Sequence, residues 1–229
     1  MNEKKIAGLK ATEYIEDNMI LGLGTGSTAY YFIEKVGELV NKGLNIKAVA
    51  TSQNTTILAN ELKIPLVSLD EVNRIDLAID GVDEIDGNFN AIKGGGGALF
   101  REKIVANIAD KVIWIMDSSK VVDSIGAFPL PVEILPFGYK QILRKLKLLS
   151  LNPVLRMKED IPLVTDNHNY IVDLHLGKGF DIMYIIEKLK SITGVLETGL
   201  FLNTCDMIII GNGNAAGVVE NPNKNNQMI

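Results

Sequence analysis

The chain has 229 residues, 47% hydrophobic and 22% charged, with a formal net charge of −5. That composition supports a substantial core and excludes a disordered chain, while 23 basic against 28 acidic side chains exclude a general nucleic-acid binder. A single cysteine, Cys205, permits no intramolecular disulfide, and Glu3, Glu13, Glu16 and Asp17 interrupt the first eighteen residues, so no signal peptide or membrane span is expected and the cytoplasm is the default setting.

In the first half, apolar runs at 19–23, 46–50, 65–68, 75–79 and 112–116 alternate with helical periodicity at 28–42, 55–62 and 98–109. Runs of Ile, Leu and Val without strict alternation predict parallel strands covered on both faces, hence a doubly wound α/β domain. The rhythm changes after Gly126, where Pro129, Pro131, Pro136, Pro153 and Pro162 cluster. The predicted order there is a strand near Val132, a helix at 139–148, strands at 154–157 and 170–174, a helix at 181–191 and a strand at 195–202. That β-α-β-β-α-β order is the split-βαβ arrangement of a smaller α+β unit. The apolar run 207–210 is expected to return to the large sheet, and 221–229 reads as a frayed polar tail. The expected division is 1–127 with 203–229 for the large domain and 128–202 for the small one.

Gly22-Leu23-Gly24-Thr25-Gly26-Ser27-Thr28 falls between a strand and a helix. Glycines allow close backbone approach, and the unpaired N–H groups and positive dipole end of the helix suit a phosphate. Thr25, Ser27 and Thr28 add hydroxyl donors. A plain turn with a Ser/Thr cap is the competing reading. A dinucleotide fingerprint fits less well, because Ser27 stands where glycine is wanted and Ala50-Thr51-Ser52 offers no acid; no Gly-Lys-Ser/Thr follows for a P-loop.

Asp80-Gly81-Val82-Asp83-Glu84-Ile85-Asp86 follows an apolar strand, and acids there face the crevice in which α/β sheets bind ligands. Asp80 and Asp83 could exchange protons with sugar hydroxyls, or form only a solvated acidic turn. An EF-hand starting at Asp86 fails, since Ala91 replaces the glycine and Gly97 the terminal glutamate. In Lys93-Gly94-Gly95-Gly96-Gly97, four glycines suggest close backbone approach or a flexible lip, with a cation beside a developing oxyanion. Glu102, in the first turn of the next helix, either complements its dipole or acts as a general base. Lys120 is either solvated or a ligand contact on the same sheet edge. His168 and His175 have no partner at metal-ligand spacing.

Taken together in this order, Gly24 to Thr28, Asp80 to Glu84, and Lys93 to Gly97 followed by Arg101-Glu102-Lys103 resemble the ribose-5-phosphate isomerase A family. The similarity extends to Phe128-Pro129-Leu130-Pro131-Val132-Glu133 and to Val164-Thr165-Asp166-Asn167, and departs mildly at Val82, where the family often has alanine. The resemblance implies a Rossmann-like large domain and a ferredoxin-like small one. It also implies a homo-oligomer, dimer or tetramer, that needs no metal or cofactor; the charge balance and the lack of an apolar run argue against nucleic-acid and membrane partners. Its expected substrate is a small phosphosugar: D-ribose 5-phosphate is interconverted with D-ribulose 5-phosphate through a cis-enediolate, in the non-oxidative branch of the pentose phosphate pathway. By the same resemblance Glu102 is the base and Asp80, Asp83 and Lys93 complete the catalytic set. Substrate contacts fall on Thr25, Gly26, Ser27, Thr28, Gly81, Val82, Gly94, Gly95, Gly96 and Lys120. Two rivals are a phosphosugar sensor without turnover and a CoA transferase-like or lactonase-like enzyme on a related core.

Overall fold

The computed structural model describes residues 2–224. Helix α1 (Glu3–Ala11) precedes strand β1 (Ile20–Leu23), α2 (Ser27–Asn41), β2 (Lys47–Ala50), α3 (Gln53–Glu61) and β3 (Ile75–Gly81). A hairpin follows, β4 (Glu84–Ile85) with β5 (Asn90–Ile92), then α4 (Leu99–Asn107) and β6 (Ala109–Asp117). Next come β7 (Leu130–Ile134), α5 (Tyr139–Leu148), β8 (Pro153–Leu155), β9 (Met157–Lys158), β10 (Ile161–Pro162), β11 (Tyr170–Leu174) and α6 (Ile182–Lys190). The described chain closes with β12 (Val195–Thr198), β13 (Leu200–Leu202), β14 (Met207–Asn212) and β15 (Ala215–Glu220).

Two compact units emerge. The first takes residues up to 82, 101–120 and from 202 onward; the second takes 83–100 and 121–201. Segments 83–100 and 121–127, expected with the first unit from their place in the sequence, group with the second.

The first unit is built on a six-stranded sheet ordered β15-β14-β6-β3-β1-β2, parallel except for β15. Leu21, Leu23, Ile79, Ile113, Ile115 and Ile209 are fully buried in it, against Phe32 and Val36 of α2. Near-continuous apolar strands are what a sheet covered on both faces requires. The chain leaves β1 toward one edge and β3 toward the other, so the crevice at their carboxyl ends is the topological switch point of a Rossmann-like α/β fold.

The second unit carries an antiparallel sheet ordered β12-β7-β11-β8, the ferredoxin-like order, with α5 and α6 burying Ile142, Leu146, Ile185 and Leu189. A small three-stranded sheet, β13-β5-β4, lies beside it in the chain's connectivity.

Two expected strands differ. Residues 65–68 make only an isolated bridge, Leu66 with Ala48, because Pro65 brings no N–H to a ladder. The run 195–202 breaks at Gly199, whose amide donates to Pro131 O at 2.7 Å while its carbonyl accepts from Lys93 N at 2.9 Å. A Cβ at Gly199 would lie 2.2 Å from Lys93 O, so only glycine permits this crossing. Of the expected tail, Asn221 is buried and its side-chain amide donates to Cys205 O at 2.8 Å; 225–229 lie outside the described residues.

Candidate active site

In the first unit the loop 24–26 leaves β1 and opens α2. The cap of α2 is Gly26, at φ +113°, with no side-chain capping bond. Helices α1 and α3 in the same unit are capped by Asn2 and Ser52. The first-turn amides of α2 thus retain the donor capacity that an anion satisfies. Ser27 is exposed and Thr28 buried within that turn.

Thr25 has another use. Its hydroxyl lies 2.8 Å from Thr51 Oγ1, 2.9 Å from Ser52 Oγ and 3.3 Å from Thr55 Oγ1. Thr55 in turn donates to Gly24 O at 2.9 Å, and Thr51 to Leu23 O at 3.0 Å. The Thr51-Ser52 pair that fails as a dinucleotide-binding acid is therefore a hydroxyl brace holding the loop in shape.

Asp80, 4% exposed, ends β3 beside that loop. Its Oδ1 accepts the amides of Thr25 at 2.9 Å and Gly81 at 2.7 Å. Glu102 is also 4% exposed, in the first turn of α4.

Sequence reasoning missed a cationic side chain of this unit that lies beside the α2 turn. Lys4, on α1, donates from Nζ to Ser27 Oγ at 2.9 Å. Lys120 ends the short turn Ser118–Lys120 that follows β6. Burial of Asp117 works against its charge, but bonds from Ser119 and the cations Lys120 and Lys4 outweigh it and hold the carboxyl below its usual value. Glu3 holds the elements bearing both lysines: it accepts from Ser118 N and Oγ at 3.2 and 2.9 Å and from Gly213 N at 2.9 Å. Those three bonds, the Gly213 amide foremost, keep Glu3 below the ordinary carboxylate value.

In the second unit Asp83 precedes β4 and accepts Gly95 N–H on Oδ2 at 2.8 Å. Lys93 is 2% exposed, with its ammonium 5.4 Å from the Phe201 ring centroid, a cation–π contact. Gly94 and Gly97, at φ +102° and +80°, close a turn in which Gly97 N donates to Gly94 O at 3.0 Å. Two of the four glycine amides are thus engaged; those of Gly94 and Gly96 are in no hydrogen bond among the described residues. Glu84 and Asp86 serve the fold. Glu84 takes the amides of Gly126 and Phe128, and Asp86 those of Asn88 and Asn90. Among the described residues no group of three or more His, Cys, Asp or Glu could hold a metal ion.

The family model of ribose 5-phosphate isomerase A (phosphoriboisomerase A) matches residues 47–215. The chain belongs to that family. A ribose-5-phosphate isomerase A of Listeria monocytogenes is 51% identical over 215 residues, covering 93% of this chain and 96% of its own. A D-ribose-5-phosphate isomerase solved with phospho-erythronic acid is 40% identical at a TM-score of 0.91, covering 96% of this chain and all of that one. The Methanocaldococcus jannaschii ribose 5-phosphate isomerase A structure is 34% identical at a TM-score of 0.90, over 96% and 98% of the two chains. Among the described residues no helix is long and apolar enough to cross a membrane.

Proposed function

We infer that this isomerase A family member interconverts D-ribose 5-phosphate and D-ribulose 5-phosphate through a cis-enediolate, in the non-oxidative branch of the pentose phosphate pathway. Glu102 carries the reading. It is buried, at 4% exposure, in the first turn of α4, and it stands where the family resemblance puts the general base.

Glu102 takes the proton from C2 and returns it to C1, a positioned base being worth roughly 10²–10⁴-fold. The electron pair released at C2 moves onto the carbonyl oxygen, where Lys93 and the amides of Gly94 and Gly96 receive the charge; one such donor contributes roughly 3–4 kcal/mol. Asp80 and Asp83 open the furanose ring and relay hydroxyl protons. The open first turn of α2, with Ser27, Thr28, Lys120 and now Lys4, holds the phosphate. Gly26, Gly81, Val82 and Gly95 shape the backbone around the sugar, and Thr25 braces it. The reading assigns no metal or cofactor and, following the family resemblance, a cytoplasmic homo-oligomer, dimer or tetramer.

Incubation with ribose 5-phosphate in D₂O tests the reading. Ribulose 5-phosphate should form, with deuterium entering at C1. Binding of the sugar phosphate with no ketose after hours would overturn it in favour of a sensor.

A further inference from the structure

Four consecutive glycines have no side chains with which to hold their own peptide planes, and each plane can rotate at little cost. The second unit supplies an external clamp. Arg156, between β8 and β9, is held by a two-pronged pair with Asp173 of β11: Nε to Oδ2 at 2.8 Å and Nη2 to Oδ1 at 2.5 Å. Its remaining nitrogen, Nη1, donates to Gly94 O at 2.7 Å and to Gly95 O at 3.1 Å. Both side chains are largely covered, at 14% and 17% exposure, so water competes weakly for these bonds.

The consequence follows from peptide geometry. A trans peptide points its C=O and N–H in opposite directions, and no described peptide is cis. Gripping Gly94 O sends the Gly95 N–H the other way, where it meets Asp83 Oδ2 at 2.8 Å. Gripping Gly95 O likewise sends the Gly96 N–H away from the guanidinium. A cation on the carbonyl end also polarises each amide and strengthens its N–H as a donor.

We propose that Arg156 is a positioning residue of the isomerase, fixing through two glycine carbonyls both the Asp83 carboxylate and the Gly96 amide that receives enediolate charge. This rests on the isomerase reading above. It deepens it by assigning a task to a residue some sixty positions beyond the glycines. Arg156 itself touches no reacting atom.

The test compares the unsubstituted protein with Arg156→Ala, Arg156→Lys and Asp173→Asn, each checked for folding by circular dichroism. Misplacing a reacting group by about an ångström costs about 10²-fold. Arg156→Ala should therefore lose roughly 10–100-fold in kcat, with KM little changed because the phosphate is held elsewhere. Phospho-erythronic acid, whose planar carboxylate resembles the enediolate, should lose affinity in step with kcat rather than KM. Arg156→Lys, which keeps the charge but not the fork, should be intermediate, and added guanidinium should restore part of the turnover of Arg156→Ala alone. A folded Arg156→Ala with near-normal kcat, or one in which only KM rises, overturns the proposal. Should Arg156→Ala not fold, Asp173→Asn and Arg156→Lys decide on the same readouts. If the unsubstituted protein forms no ketose, the isomerase reading fails instead. The clamp is then judged by hydrogen exchange at 94–97, which must quicken in the variants for it to stand.

Discussion

Asp80 and Glu102 are equally buried, and the bonds that hold Asp80 in place can be named. Two amides converge on one oxygen of Asp80, and the turn that supplies one of them, that of Thr25, depends on Gly24. A Cβ at Gly24 would stand 2.1 Å from Asp80 Oδ1 and 2.5 Å from Asp80 Cα, leaving it nowhere to relax. Gly24→Ala should therefore lower both turnover and stability, the latter by about 1–3 kcal/mol, typical of overpacking; a urea titration beside initial-rate measurements checks both. Glu102→Gln keeps the volume and removes the carboxylate proposed as the base. It should still bind ribose 5-phosphate but turn it over at least about a hundredfold more slowly, measured as kcat. These proposed site residues could be singled out from the sequence because each sits in a short motif with its neighbours. The brace of Thr51, Ser52 and Thr55 was not, since its purpose depends on Thr25, 26 to 30 positions away.

Among elements, α2 is set apart by what its first turn lacks. Asn2 caps α1 and Ser52 caps α3, but Gly26 offers α2 only backbone. Lys4 faces that opening from α1, so Lys4→Met should raise KM for ribose 5-phosphate roughly tenfold while kcat changes little, a single charged hydrogen bond being worth about that much. Equal loss in kcat would refute a phosphate role. Long amphipathic helices were readable within a residue or two, as α5 and α6 show. Helix α1 escaped notice because it buries only Ala7, Gly8 and Ala11, too small to mark a stripe. Strand β15 escaped because its residues are mostly exposed and lack alternation. The break at Gly199 depends on Lys93 and Pro131, which no local pattern announces.

At the scale of the whole molecule, Glu3 links the start of the described chain to the turn after β6 and to the bend between β14 and β15. Its folded carboxyl lies below the usual value, so its contribution is present above the unfolded value and disappears as pH falls through the folded one. Glu3→Gln should therefore lower the melting temperature at neutral pH. The gap to the parent should close in acid, below the ordinary carboxylate range. A gap independent of pH, followed by circular dichroism, would deny the charge any part. Fold class was readable from the alternation of runs, whereas the assignment of 83–100 to the second unit was not, because it rests on pairing with Leu200–Leu202 far along the chain.

The backbone passes between the two compact units four times, at 82–83, 100–101, 120–121 and 201–202. On the ribosome, β6 therefore waits for its partner β14 until the entire four-stranded sheet of the second unit has been synthesised. The growing chain must carry an open, strongly apolar edge through that interval. No single truncation yields either unit whole, so neither can be expressed or exchanged as one contiguous gene fragment.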